Sequence, residues 1–187
     1  MSIFESKPQF KLRGNRNYLS ATTVFDWVSD SLESPKEIDF QFHIFADKHV
    51  NVSKEPGSKQ NTVATYRRCF ETVYLIDSQE QISEMYPCNE HLVVDDADFD
   101  STKGSFSLPA ESNATYTECI VAIYKAMLQL TPDGSKGKLI FGRLKLEYVP
   151  KVGACVVEHR RMIGDKFFEA NLIHNDQKIG SLYFGQQ

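Results

Sequence analysis

One stretch limits the chain more than any other: an apolar run near position 120 that is too long for a strand and apolar on too many sides for a surface helix. Between Cys119 and Leu130 the strongly polar side chains are Lys125 and Gln129, whereas Ile120, Val121, Ala122, Ile123, Tyr124, Ala126, Met127 and Leu128 cover nearly every direction around a helix axis. A surface helix carries one apolar stripe; a helix apolar nearly all round has to be enclosed. The helix is expected over 114–130, too short for a bilayer, which takes about 20 apolar residues. Its enclosure must therefore be protein.

The enclosing elements follow directly in the chain. Ile140, Gly142, Leu144, Leu146 and Tyr148 alternate with Phe141, Arg143, Lys145 and Glu147, the period of a half-buried strand. Pro150 and Gly153 end that run, and further strands are expected over 154–163, 166–174 and 179–184. Gly164-Asp165 fits a two-residue turn with glycine first, and Asn175-Asp176 fits another because both residues tolerate positive φ. Turns this short impose antiparallel neighbours, since parallel pairs need a crossover of about a dozen residues or more. The last strand is short and apolar, so it is expected to pair within the sheet or across a two-fold axis in a homodimer.

The N-terminal half follows a similar plan. Val24, Phe25, Trp27, Val28 and Leu32 form the apolar face of a helix capped by Thr22 or Thr23 and ended before Pro35. Ile38, Phe40, Phe42 and Ile44 alternate with polar residues as a strand, which Asp47-Lys48 turns back through Val50 and Val52. A loop over 53–61 holds Pro56-Gly57, and 63–76 reads as one long strand rich in Thr, Tyr, Val and Phe. Short strands are expected at 92–94 and 106–108, on either side of an acidic loop. Tyr66-Arg67-Arg68 ahead of Leu75-Ile76-Asp77 is echoed by His159-Arg160-Arg161 ahead of Leu172-Ile173-His174, which is either a duplication or the likeness of two hairpins. The fold class is thus α+β, an antiparallel sheet wrapped around a buried central helix. The chain is one globular unit over 1–187, or two fused halves at 18–86 and 90–187.

Charge and motifs exclude several functions. A net charge of −4 gives nucleic-acid binding no support, because that function usually shows as a basic patch. No apolar N-terminal run resembles a signal peptide and no segment is long enough for a membrane span, so a cytoplasmic protein without membrane attachment is expected. Cys69, Cys88, Cys119 and Cys155 form no Cys-x-x-Cys pair, which reads as free buried thiols rather than a zinc site. Asp96, Asp98 and Asp100 have the opening spacing of a calcium loop, but Ser101 and Ser107 stand where glycine and glutamate belong. The glycine-rich phosphate loops and the Gly-x-Ser-x-Gly elbow are missing from the sequence. Neither a metal nor a cofactor is expected.

An enclosed helix followed in close succession by antiparallel strands resembles the hot-dog fold at the level of a superfamily pattern. Lys138 to Phe184 carries most of that resemblance, with Leu146-Glu147-Tyr148-Val149-Pro150 at a turn between strands. The resemblance implies a thioesterase or dehydratase acting on acyl groups carried by coenzyme A or acyl carrier protein. It also implies an acidic residue near the start of the central helix, where Glu118 stands. Glu118 would act as general base on water, with unpaired helix-start N–H groups polarising the thioester carbonyl. The same residue completes Thr115-x-x-Glu118, a capping box with a purely structural role. Asn113 and Tyr116 are candidate substrate-binding neighbours, and His43, in a strand, is a second catalytic candidate. Pro109 to Thr115 holds no histidine, which argues against the dehydratase pattern. The competing reading is a non-catalytic β-rich module that binds an apolar ligand or a protein partner.

Overall fold

The computed structural model describes residues 3–32, 35–87, 105–108, 114–130, 137–164 and 166–187. The chain divides into two compact units, Met1–Cys88 and Asn89–Gln187. Together they make an α+β fold, two α-helices and mostly antiparallel strands among the described residues. No helix among those residues is long and apolar enough to cross a membrane.

In the first unit the helix α1 covers Ala21–Ser31. It starts earlier than the threonines would place it. Leu19, fully buried, donates its N–H to the Ala46 carbonyl at 2.6 Å, and Ser20 takes the N-cap position. The Ser20 hydroxyl bonds Thr22 Oγ1 at 2.8 Å instead of a backbone N–H, and Thr22 is itself buried in the first turn. Six strands accompany the helix: β1 (Leu12–Arg13), β2 (Lys36–Phe42), β3 (Lys48–Ser53), β4 (Thr62–Arg68), β5 (Glu71–Gln81) and β6 (Met85–Tyr86). The short β1 and β6 pair parallel, and the others form an antiparallel order β3-β5-β4-β2.

Two expectations change here. The stretch read as one strand over 63–76 is a hairpin, with Arg68 paired to Glu71 around Cys69-Phe70. Its alternation runs on without Gly, Pro or Asn at the bend, so no turn residue marks it. Cys69 takes φ +41 and an Arg68–Glu71 ion pair at 2.9 Å closes the turn. The strand β3 does not fold back on β2; it pairs with β5, which extends to Gln81 and supplies the longer partner. Phe25, Phe40 and Tyr66, all fully buried, meet at 5.4–6.3 Å between ring centroids and tie α1 to the sheet. Each such ring contributes roughly 1.5–3 kcal/mol by burial.

The second unit holds β7 (Ser105–Leu108), the helix α2 (Tyr116–Leu130), then β8 (Leu139–Tyr148), β9 (Gly153–Ile163), β10 (Phe167–His174) and β11 (Gln177–Gln186). The antiparallel order is β8-β11-β10-β9-β7. The last strand, β11, is therefore interior, paired on both sides, which protects it from edge-to-edge association. Asn175 and Asp176 turn at φ +48 and +63, the left-handed pair expected of them. At the β9–β10 connection Ile163 pairs with Phe167, and Asp165 of the expected Gly164-Asp165 turn lies outside the described residues. One sheet face is apolar: Leu144, Leu146, Val157, Leu172, Leu182 and Phe184 are all at most 3% exposed. The helix α2 packs against β9 and buries Ile120, Ile123 and Tyr124 completely. Its burial is uneven, because Glu118, Val121, Lys125 and Gln129 form a stripe that reaches the surface.

Each unit thus places a helix ahead of a run of antiparallel strands, but the pairings differ. The first strand after α1 pairs with the third, whereas the first after α2 pairs with the fourth.

Candidate functional site

The start of α2 is closed by the capping box written in its sequence. The Thr115 N–H donates to Glu118 Oε2 and the Glu118 N–H donates to Thr115 Oγ1, both at 3.1 Å. The two side chains satisfy each other's backbone donors, which is why the helix begins here. Glu118 is half-buried at this end.

Tyr116, two residues earlier, goes inward. It is 5% exposed, and its hydroxyl has no hydrogen-bond partner among the described residues. Burial pushes its phenol well above 10, and the neighbouring Cys155, Tyr148 and Cys119 push the same way. The group is therefore a neutral O–H donor at any physiological pH. Thr117 Oγ1, on a fully buried residue, likewise has no partner among the described residues. Buried polar atoms nearly always find a hydrogen bond, so two such hydroxyls within one turn call for an explanation.

The sheet supplies the other wall. Cys155 is 1% exposed, and burial, reinforced by Cys119, raises its thiol to about 12. A thiol held that high is not a nucleophile at neutral pH. His174 is buried at the end of β10, opposite Cys155 across the β9–β10 ladder. Its Nε2 lies 2.8 Å from the Val152 carbonyl, which can only accept, so Nε2 carries the proton. In the neutral ring Nδ1 then accepts from the Tyr148 hydroxyl at 2.9 Å. This chain of bonds pins the β8–β9 turn, where Gly153 has φ +115 and a Cβ would meet His174 Nε2 at 2.7 Å. Farther along α2, the Tyr124 hydroxyl bonds His159 Nδ1 at 2.9 Å. Burial holds the His159 imidazole below its usual value.

Of the residues singled out from the sequence, the structure brings Tyr116 and Glu118 together in the first turn of α2. Their side chains diverge, one to the interior and one into the cap. Asn113 and the acidic triplet Asp96, Asp98 and Asp100 lie outside the described residues. His43 belongs to the first unit, exposed just beyond β2, with Nε2 2.9 Å from Thr65 Oγ1. Partial burial and the Arg67 charge lower its pKa. Sequence reasoning named Tyr148, Cys155 and His174 as a strand residue, a buried thiol and part of a hairpin echo, not as residues of the site. A signal existed: each continues the inward alternation of its strand, after Leu146, before Val157 and after Leu172 respectively.

Chemically, the cluster at the start of α2 offers neutral hydroxyl donors in an apolar surround, and its Cys155 thiol is not activated. Among the described residues no three His, Cys, Asp or Glu side chains converge to hold a metal ion. Such a cluster suits a carbonyl or other neutral acceptor better than a charged one.

No protein-family model matches the chain. No curated protein matches it either. Among solved structures it is similar to a "putative thioesterase II" from Thermobifida fusca, at 12% identity and a TM-score of 0.38, over 99% of this chain and 96% of that one. A likeness of this degree supports no inference about chemistry.

Proposed function

We propose that the protein binds acyl thioesters, with the unit from Asn89 to Gln187 serving as a hot-dog-like half wrapped about α2. The acyl chain lies between α2 and the apolar sheet face, and the thioester end lies near Asn113, Tyr116 and Glu118. The observation that carries this reading is the Tyr116 hydroxyl, buried and without a hydrogen-bond partner among the described residues, at the start of an apolar helix. A thioester carbonyl is an acceptor of the right charge and polarity for that donor. In this reading the carrier is coenzyme A or acyl carrier protein, the protein is cytoplasmic, and Glu118 turns from cap to general base on a bound water when substrate enters. Catalysis is the separable part of the proposal.

The test is a panel of short- and long-chain acyl thioesters with the wild type and Glu118→Gln. Glutamine can close the same capping box, so the melting temperature should stay nearly unchanged. Hydrolysis should fall about a hundredfold or more, the scale of losing a general base. Binding of thioesters without turnover would leave a binding protein. Neither binding nor turnover of any thioester would overturn the reading.

A further inference from the structure

The outer face of the second unit's sheet carries a charge cluster that the acyl-thioester reading does not use. Glu169 of β10 is 2% exposed. Its Oε1 accepts from Arg160 Nη1 at 2.9 Å and from the Tyr183 hydroxyl at 3.1 Å, and its Oε2 accepts from Arg161 Nε at 2.7 Å. Two consecutive residues of a strand ordinarily point to opposite faces. Here a β-bulge intervenes: Glu169 pairs with Arg161 while Ala170 pairs with His159, which leaves Arg160 as the extra residue. The bulge is what aims both guanidinium groups at one carboxylate.

That carboxylate is ionised. Burial raises its pKa, but the hydrogen bonds from Arg161 and Tyr183 and the charges of both arginines outweigh burial and hold it below the usual range. The arginines are only partly consumed. Each donates one nitrogen to Glu169, and their side chains remain 46% and 56% exposed. A guanidinium has five N–H donors in a planar fork, so most of the donors of both groups face outward. One arginine and Tyr183 would suffice to satisfy Glu169. The second holds two like charges side by side, a net positive group with its geometry already set. Arg143, in register with Tyr183 on β8, adds its charge to the same row.

An apolar ledge adjoins it. Phe167 and Ile163 are cross-strand partners two residues along on the same face, 56% and 41% exposed. The Phe167 ring lies over Gly185, where a Cβ would come within 3.7 Å of it. An exposed ring next to outward-facing guanidinium forks is a two-part surface, one part for an oxyanion and one for a flat apolar body.

We propose that this face binds an organic phosphate monoester, its dianionic phosphate on Arg160 and Arg161 and its apolar or aromatic body on Phe167 and Ile163. On β10 the site uses Phe167 and Glu169, which alternate with the core residues Phe168 and Ala170, and the proposal does not rest on the thioester reading. Titration calorimetry with phenyl phosphate, inorganic phosphate and phenylacetate tests it. Phenyl phosphate should bind at least about tenfold more tightly than phenylacetate, since two forks match a dianion. Arg161→Lys keeps a charge beside Glu169 but loses the fork, and should weaken both phosphates about tenfold. Phe167→Ala removes an exposed ring without touching the ion cluster. It should weaken phenyl phosphate and leave inorganic phosphate unchanged, which keeps the test valid should Arg161→Lys fold poorly. No binding of either phosphate up to about 10 mM would overturn the proposal, as would phosphate binding indifferent to both substitutions.

Discussion

Replacing Tyr116 by phenylalanine removes one oxygen and leaves the ring in place. For most buried tyrosines that change is destabilising, because the hydroxyl has a partner that is then left unpaired. At Tyr116 the sign should be reversed. The residue is 5% exposed and its hydroxyl has no partner among the described residues, so on that geometry folding carries the desolvation cost of a polar group with no hydrogen bond in return. That cost is roughly 1–3 kcal/mol. Tyr116→Phe should therefore stabilise the protein by about 1–3 kcal/mol, which for a chain of this size raises the melting temperature by about 2–12 °C. Urea titrations should show a higher midpoint at an unchanged slope, the mark of a change in stability alone. Under the thioester reading the same variant should bind its ligand about 2–10-fold more weakly, through the loss of one neutral hydrogen bond of about 0.5–1.5 kcal/mol. Greater stability with poorer binding is the signature of a group kept for a ligand. A Tyr116→Phe protein less stable than wild type by about 1 kcal/mol or more would refute the reasoning. The hydroxyl would then serve the fold.

Two other outcomes follow from the structure. His43 and His159 are both held below 6.5, by burial in each and by Arg67 as well at His43. As pH falls the unfolded chain takes up these protons first, so stability is full above about 6.5 and declines as pH drops through that value. Urea unfolding at pH 7.5 and 5.5 should show it, with a smaller decline in a His43→Gln/His159→Gln double variant; equal stability at both pH values would count against it. At Gly180 an added Cβ would run into the Lys145 carbonyl oxygen of β8, a backbone atom that cannot move without breaking the β8–β11 ladder. Gly180→Ala should cost at least about 3 kcal/mol, seen as a large fall in melting temperature or loss of soluble protein.

The candidate site was legible in part. Thr115-x-x-Glu118 is a local pattern, and local patterns carry their own geometry, so the capping box can be seen before any fold is known. The inward course of Tyr116 follows from the helix period. Its neighbours do not, because Tyr148 and Cys155 come from two strands and meet it only through the sheet's order, as His174 of a third strand meets Tyr148. The Arg160–Arg161–Glu169 cluster was hidden for a sharper reason: consecutive arginines in a strand should point to opposite faces, and only a bulge brings them together.

Taken by itself, the sequence determined what depends on neighbours along the chain. The apolar periods set the helices and most strands, Asn175-Asp176 set a left-handed turn, and Thr115 and Glu118 set a helix start. Pairing was decided elsewhere. Nothing local tells β3 to join β5 rather than β2, or β8 to join β11 rather than β9, since each choice depends on which apolar faces can be buried together. The echo between Tyr66-Arg67-Arg68 and His159-Arg160-Arg161 illustrates the difference. Both lie near the end of the first strand of a hairpin, β4–β5 and β9–β10, yet those hairpins hold different places in the strand order. Hairpins form from short-range contacts and leave a trace in the sequence; strand order arises from long-range burial, which only the tertiary structure supplies.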